Sequence, residues 1–440
     1  MDDGGTRIYL RLPDDRDPNT VRIEAAKRYS LADVCAGAGY RTAAFGKLHL
    51  TPYCAGDPHG RESYAAWEAG GSPDEEPYYG FQRYEPIVGH GPGNHWHHGG
   101  AYGRHLHSRL PDLGQDLGER LAAGRIVPGI PDLSANPIPD AHSDAAWLAD
   151  RVCTYLAQRD ADRPFCCFVG FPGPHHPFTP SADVLAEFQD APVADPATRP
   201  EHGDQRPLMA AFAAGEQLQR LPEPWLENAR HVRRYTDALV HQIDRAVGRI
   251  LDALQKAGIE QDTLVVFTSD HGDFLGDFGC YRKTCLNARQ LLHVPLILRL
   301  PGVDTVHLAE QCRRPTSNTD ILPTLAAAAG IPLPCAVHGL DLLAPQPANR
   351  AVFAYAHQAM NSVRDDRRLD NGAVFRGRHH YLHAPQAGLE ELFDVSVDPH
   401  ETRDLASTAQ GRPLARELRD TLAHGLLGHH QPGLGKIACY

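Results

Sequence analysis

The stretch Leu264–Lys283, LVVFTSDHGDFLGDFGCYRK, constrains this chain more than any other. It opens with a short apolar run, Leu264 to Phe267, bounded by polar residues. Runs of that length rich in Val and Phe read as a buried strand rather than a helix. At the carboxyl end come Thr268, Ser269, Asp270 and His271, then Gly272, where the chain can turn sharply. Polar groups at a strand's carboxyl end sit where open α/β sheets bind ligands. An Asp beside a His there can ligate a metal, the carboxylate suiting hard cations and the imidazole softer ones. A polar turn in which the Asp caps local N–H groups accounts for the same residues. The pair alone does not separate the two readings.

The rest of the chain supplies further strands and helices of the same class. Ser30 reads as the N-cap of a helix, LADVCAGAG, ended by Gly39. Thr42–Leu50, TAAFGKLHL, reads as a small-residue strand followed by a basic turn. If that segment is extended, Lys47 and His49 share one face and grip an anion. A solvated Lys beside an incidental His fits the same letters. Residues 51–140 read as a surface loop crowded with Gly, Pro and His, including His90, His95, His97, His98, His105 and His107.

SDAAWLADRVCTYLAQR then reads as an amphipathic helix with Ala146, Ala149, Val152, Cys153 and Leu156 on one stripe. FCCFVGF is a second buried-strand candidate. It ends in PGPHHPF, whose prolines stiffen a turn around His175 and His176. Residues 179–228 show little periodicity. The helix that follows, to about Ala257, repeats Leu239, Ile243, Val247, Ile250 and Leu254 as a core stripe. HVPLILRL is a third strand, and a helix capped by Asn or Thr follows, ending at Gly330. After Ala344 come short strands, AVFAYAH and AVFRGRHHYLH, then ELFDVSVDPHETRDLA.

Three of these segments together resemble the sulfatase branch of the alkaline phosphatase superfamily. They are S-D-H-G-D-x-L-G-D-x-G with Lys283, A-G-Y-R-T-A-x-x-G-K-x-H-L, and the H-x-P at His175. The order and the flanking segments match from about residue 30 to 410. The resemblance implies an α/β fold, a mixed central sheet flanked by helices, spanning residues 1–344. A smaller α+β C-terminal domain would span 345–440. It implies sulfate-ester hydrolysis with one divalent cation held by Asp270 and His271, Ca²⁺ first and Mn²⁺ second. Lys47, His49, His175 and Lys283 would surround the substrate oxygens and assist proton transfer. The substrate would be a small-molecule or carbohydrate sulfate ester. A phosphonate monoester hydrolase or phosphodiesterase, or a non-catalytic anion-binding protein, fits the same motifs.

Composition narrows the partners. A net charge of −12 over 440 residues argues against a nucleic-acid binder. No apolar run approaches the ~20 residues that cross a bilayer. The ten cysteines include no C-x-x-C, so a reduced, cytoplasmic setting is the expectation. Oligomeric state is left open. The resemblance also implies an early strand with two adjacent Asp, then C/S-x-P-x-R, whose Cys or Ser becomes a formylglycine nucleophile. No Cys or Ser of the chain stands in that pattern. The expectation is a chain that begins beyond the nucleophile segment and, as it stands, is inactive.

Overall fold

The computed structural model describes residues 8–9, 30–50, 62, 77–125, 127–302, 314–356, 369–428 and 436–437. The chain forms two compact units, residues 35–196 with 221–264, and residues 1–34 with 197–220 and 265–440. Helix α1 (Leu31–Gly37) is capped as expected, the Asp33 N–H donating to Ser30 Oγ at 3.0 Å.

The first unit carries a parallel sheet of β1 (Arg41–Gly46), β2 (Arg83–Pro86) and β3 (Phe165–Gly170), with β1 in the middle. β1 consists of small residues and one Phe, and Ala43, Ala44 and Phe45 are completely buried. The region expected as a loop is ordered in its second half, and that expectation is corrected. It forms β2, α2 (Gly91–His98) and α3 (Gly100–Arg109), while residues 51–61 and 63–76 lie outside the described residues. Gly and His are weak helix formers, but burial of Tyr102 and Leu106 overrides propensity here. The long helices α4 (Asp144–Gln158) and α5 (Trp225–Lys256) meet through Ala145, Ala149 and Ala246, whose size allows close approach. Of the expected α5 stripe Leu254 is buried, while Leu239, Ile243, Val247 and Ile250 are half-buried. The fully buried line runs instead through Ala229, Val232, Tyr235 and Ala246.

The second unit carries β4 (Val265–Thr268) paired antiparallel with β5 (Leu296–Arg299). Both were expected to be buried, as was β3. All three are instead half-buried, with Phe168, Phe267 and Ile297 exposed, because each has one strand neighbour among the described residues. The turn before helix α6 (Ile321–Ala328) is capped by Ser317 rather than by Asn or Thr. Buried Asp320 ties that turn down, accepting from Ser317 N and Leu340 N, both at 2.8 Å.

Four antiparallel strands follow: β6 (Ala351–Ala356), β7 (Asn371–Arg376), β8 (His379–Ala384) and β9 (Leu389–Asp394), in the order β9-β8-β7-β6. Their residues alternate between faces as strand geometry requires. Val374, Tyr381 and Leu392 pack with Leu418 and Leu422 of α7 (Gly411–Gly428). Ala373, Leu382 and Phe393 pack with Leu208, Phe212 and Phe278. On that second face Arg206 is wholly buried. It donates to Glu391 Oε2 at 2.6 Å and Glu401 Oε2 at 3.3 Å, with its guanidinium 4.6 Å from the Phe393 ring centre. His380 meets the other oxygen of Glu401. Among the described residues no helix is long and apolar enough to cross a membrane.

Removing Arg206 strands two buried carboxylates, which typically costs about 3–5 kcal/mol. Arg206→Ala is therefore expected to lower the urea midpoint strongly, and a loss under about 1 kcal/mol would show the network to be dispensable. Burial raises the Glu401 pKa, but His380 and Arg206 outweigh this and hold it below the ordinary glutamate value. Its contribution is then complete above the unfolded glutamate pKa of about 4.3 and fades as pH falls through the depressed folded value. The same melts repeated at falling pH read that loss.

Candidate functional site

In the first unit the site begins where β1 and β3 end on the same rung, Gly46 opposite Gly170. The Lys47 N–H donates to Gly170 O at 2.8 Å. A Cβ on Gly46, where φ is +93°, would stand 2.1 Å from Gly170 O, and one on Gly170 would stand 1.9 Å from Lys47 O. Only glycine permits this approach. It delivers two segments side by side: Lys47–His49 from β1 and Pro172–Phe178 from β3.

The extended geometry expected for Lys47 and His49 is corrected. The strand stops at Gly46, and His49 takes a left-handed φ of 60°, a conformation stored mostly at functional sites. The turn, not the strand pleat, presents the imidazole. The His49 ring stacks on His90 with centroids 5.6 Å apart, and His90 lies 4.0 Å from the ring of His175. His176 continues the row at 4.1 Å. The His175 Nδ1–H donates to the His176 carbonyl, which fixes the tautomer. Lys47, His49 and His175 are thus brought together as expected.

His90 is the member that sequence reading missed, having been placed in a surface loop. It immediately precedes α2 with extended backbone. Gly91 follows with φ +77°, so close to Pro177 that a Cβ would meet its ring at 2.5 Å. The one available signal was G-H-G-P, an imidazole set between a glycine and a helix-starting Gly-Pro. Burial first, then His175, Lys47, His49 and His95, hold the His90 pKa well below the usual imidazole range. Behind His90 and His175 lies a small polar cavity lined also by His95, Asn136, Asp144 and Gln242. There burial raises the Asp144 carboxyl pKa against the opposing influence of His95.

In the second unit β4 delivers the Asp-His pair. Asp270 Oδ1 accepts from His271 N at 3.0 Å, and Asn318 Nδ2 donates to Ser269 O at 3.0 Å, pinning the turn to the α6 capping region. The Asp therefore does cap a local N–H, as the structural alternative required. Its other oxygen, Oδ2, lies 3.7 Å from His271 Nε2. The His271 Nδ1–H donates to Gly272 O at 2.8 Å, so Nε2 carries the lone pair. Lys283 Nζ reaches that nitrogen at 2.8 Å. The reach depends on residues 274–282 folding back, with Leu275, Phe278 and Arg282 all at positive φ. Asp273 lies inside this turn. Burial pushes its carboxyl up to about 6, against the N–H groups of Leu275 and Arg282 and the Lys283 charge.

The Asp270–His271 pair fits a divalent cation as two of its donors: a half-exposed carboxylate and an imidazole of fixed tautomer, whose lone pair already accepts from an ammonium. Among the described residues, no group of three or more His, Cys, Asp or Glu is placed to hold a metal.

A family model described as Sulfatase matches residues 13–331. The choline-sulfatase of Rhizobium meliloti (strain 1021) is 30% identical over 278 residues, 61% of this chain and 52% of that protein. The multifunctional alkaline phosphatase superfamily protein PehA of Trinickia caryophylli is 29% identical over 335 residues, 69% of this chain and 63% of its own. The chain thus spans less than two thirds of the length of these relatives. The phosphonate monoester hydrolase of Agrobacterium radiobacter has a similar fold, with a TM-score of 0.67 at 23% identity, covering 90% of this chain and 79% of that one.

Overpacking typically costs about 1–3 kcal/mol, and here a methyl would press on a backbone carbonyl that cannot rotate away. Gly170→Ala is expected at or above that range and to weaken sulfate binding by displacing Lys47. A variant with unchanged melting and unchanged sulfate affinity would show that the Gly46–Gly170 approach does not position the cluster.

Proposed function

The chain belongs to the sulfatase family, and from that premise we propose that it carries the anion-binding and cation-binding parts of a metal-dependent sulfate-ester hydrolase. The observation that supports this most is the convergence of Lys47, His49 and His175 at the ends of two parallel strands. An ammonium and imidazoles so placed bind ester oxygens and stabilise charge that grows on them during cleavage. His175, with Nδ1 committed to a carbonyl, exchanges a proton at Nε2. In the second unit Asp270 and His271 hold the cation, Ca²⁺ first and Mn²⁺ second. Such a cation supplies Lewis-acid stabilisation of charged oxygens when bound. Lys283, whose ammonium meets His271 Nε2 at 2.8 Å, would supply a further positive charge beside that cation.

Chemistry of this kind also needs an activated oxygen nucleophile. The C/S-x-P-x-R context that provides one in the family does not occur in these 440 residues. The 440-residue chain is therefore expected to bind sulfate without turning over 4-nitrophenyl sulfate. The second reading, a phosphonate monoester or phosphodiester substrate, is supported by the fold shared with the phosphonate monoester hydrolase of Agrobacterium radiobacter, while His271, a softer ligand than an oxygen donor, favours Mn²⁺. Competition of phenyl sulfate against phenyl phosphonate for the chain ranks the two.

Two variants test the role assignments by calorimetry. Asp270→Ala deletes an anionic ligand, so Ca²⁺ and Mn²⁺ affinity is expected to fall by about ten-fold or more. Lys283→Ala is expected to keep metal affinity or raise it, because the competing ammonium is gone. Equal metal affinity in the wild-type chain and Asp270→Ala, or loss of metal binding in Lys283→Ala, would show the roles to be misassigned.

A further inference from the structure

Three imidazoles and one lysine occupy one corner of the first unit, and His90 sits at their centre. Its ring is 4.0 Å from His175 and 5.6 Å from His49. The groups facing it come from three elements: Lys47 and His49 from the turn after β1, His95 from α2, and His175 with its neighbour His176 from the turn after β3. The arrangement is not a metal centre, since no three of these side chains are placed to share an ion among the described residues. Nor is it a packed apolar core, since the floor of the adjoining cavity is lined by Asn136, Asp144 and Gln242.

We propose that His90 is a further contact for the substrate anion and takes up a proton from the solvent as an oxyanion enters. The proposal rests on the reading that Lys47, His49 and His175 bind the substrate anion. Its physical basis is a sign change in the local field. Without an anion, burial and neighbouring cations disfavour the imidazolium form of His90. An oxyanion placed among the same groups reverses that balance, so the imidazole protonates and donates a charge-assisted hydrogen bond. The backbone holds His90 ready for this, because Gly91 is wedged against Pro177 of the His175 turn. Affinity for a dianion then rises as pH falls through the imidazole range and levels off only below the depressed value that His90 has without an anion.

The test uses the 440-residue chain and inorganic sulfate, which stays a dianion across that range. Calorimetric titration at one pH in two buffers of different ionisation enthalpy counts the protons taken up per sulfate. The wild-type chain is expected to take up a substantial fraction of a proton. His90→Gln should lose most of that uptake and bind sulfate about ten-fold more weakly. His90→Asn replaces it if the longer amide unsettles Pro177. Lys47→Ala tests the underlying reading. If Lys47→Ala weakens sulfate binding while both His90 variants keep wild-type affinity and proton uptake, the His90 proposal falls and the anion-site reading stands. If the wild-type chain does not bind sulfate, both fall.

Discussion

The backbone hydrogen bond from Lys47 N to Gly170 O, 2.8 Å long, is the contact on which the anion side of this protein depends. It continues the parallel ladder of β1 and β3 one residue past Gly46 and Gly170, where a side chain on either strand would overlap a carbonyl. In most parallel pairs the ends splay and their loops diverge. Here the two turns leave the sheet together, and each carries its basic groups within reach of the other. His90, from the segment before α2, lies between His49 and His175 of these two turns. Burial first, and mutual repulsion after it, hold the His90 pKa well below the usual imidazole range. A cluster held together against its own charge by backbone geometry is prepared for an anion and strained without one.

The second unit solves a different problem, which is to return Lys283 to the strand end that carries His271. The turn between them uses three left-handed residues other than glycine and encloses a carboxyl, Asp273, whose burial favours its neutral form. Such a turn is costly by itself. Phe274 and Phe278 anchor it in the core that also holds Leu208, Phe212 and Phe393. Arg206 lies over the Phe393 ring and binds Glu391 and Glu401, so this core contains a buried ion network as well as apolar contacts. The small C-terminal sheet therefore contributes one wall of the packing that fixes the Lys283 turn.

Much of this was legible in the sequence because it is local. Strand–turn–glycine punctuation located Asp270 and His271, a helix cap placed α1, and an amphipathic stripe placed α4. The resemblance supplied Lys47, His49, His175 and Lys283, and the structure gathers the first three. What was not legible arises from tertiary contact. Nothing in the letters around His90 says that Gly91 will seat against Pro177, eighty-six positions later in the chain by number. The half-buried faces of β3, β4 and β5 were also unreadable, because an apolar run reports what a strand prefers and not how many neighbours it finds. The buried line of α5 was misplaced for a related reason. Its buried contact with α4 is Ala246, which a hydrophobic repeat built on Leu and Ile passes over, while Ile243 and Ile250 pack at the edge of that contact.

The choice of imidazoles over further lysines on the anion side has a physical consequence. Four permanent cations at these separations would repel strongly whenever no anion was bound, and the fold would bear that energy in its resting state. His90 is held in its neutral form by burial and by its neighbours, so it adds no fixed charge to the cluster. The His176 carbonyl fixes the tautomer of His175 by accepting from its Nδ1–H. The same logic does not extend to the second unit, where a carboxylate, one imidazole and an ammonium already balance one another. There Lys283 Nζ meets His271 Nε2 at 2.8 Å, and Asp270 Oδ2 stands 3.7 Å from the same nitrogen.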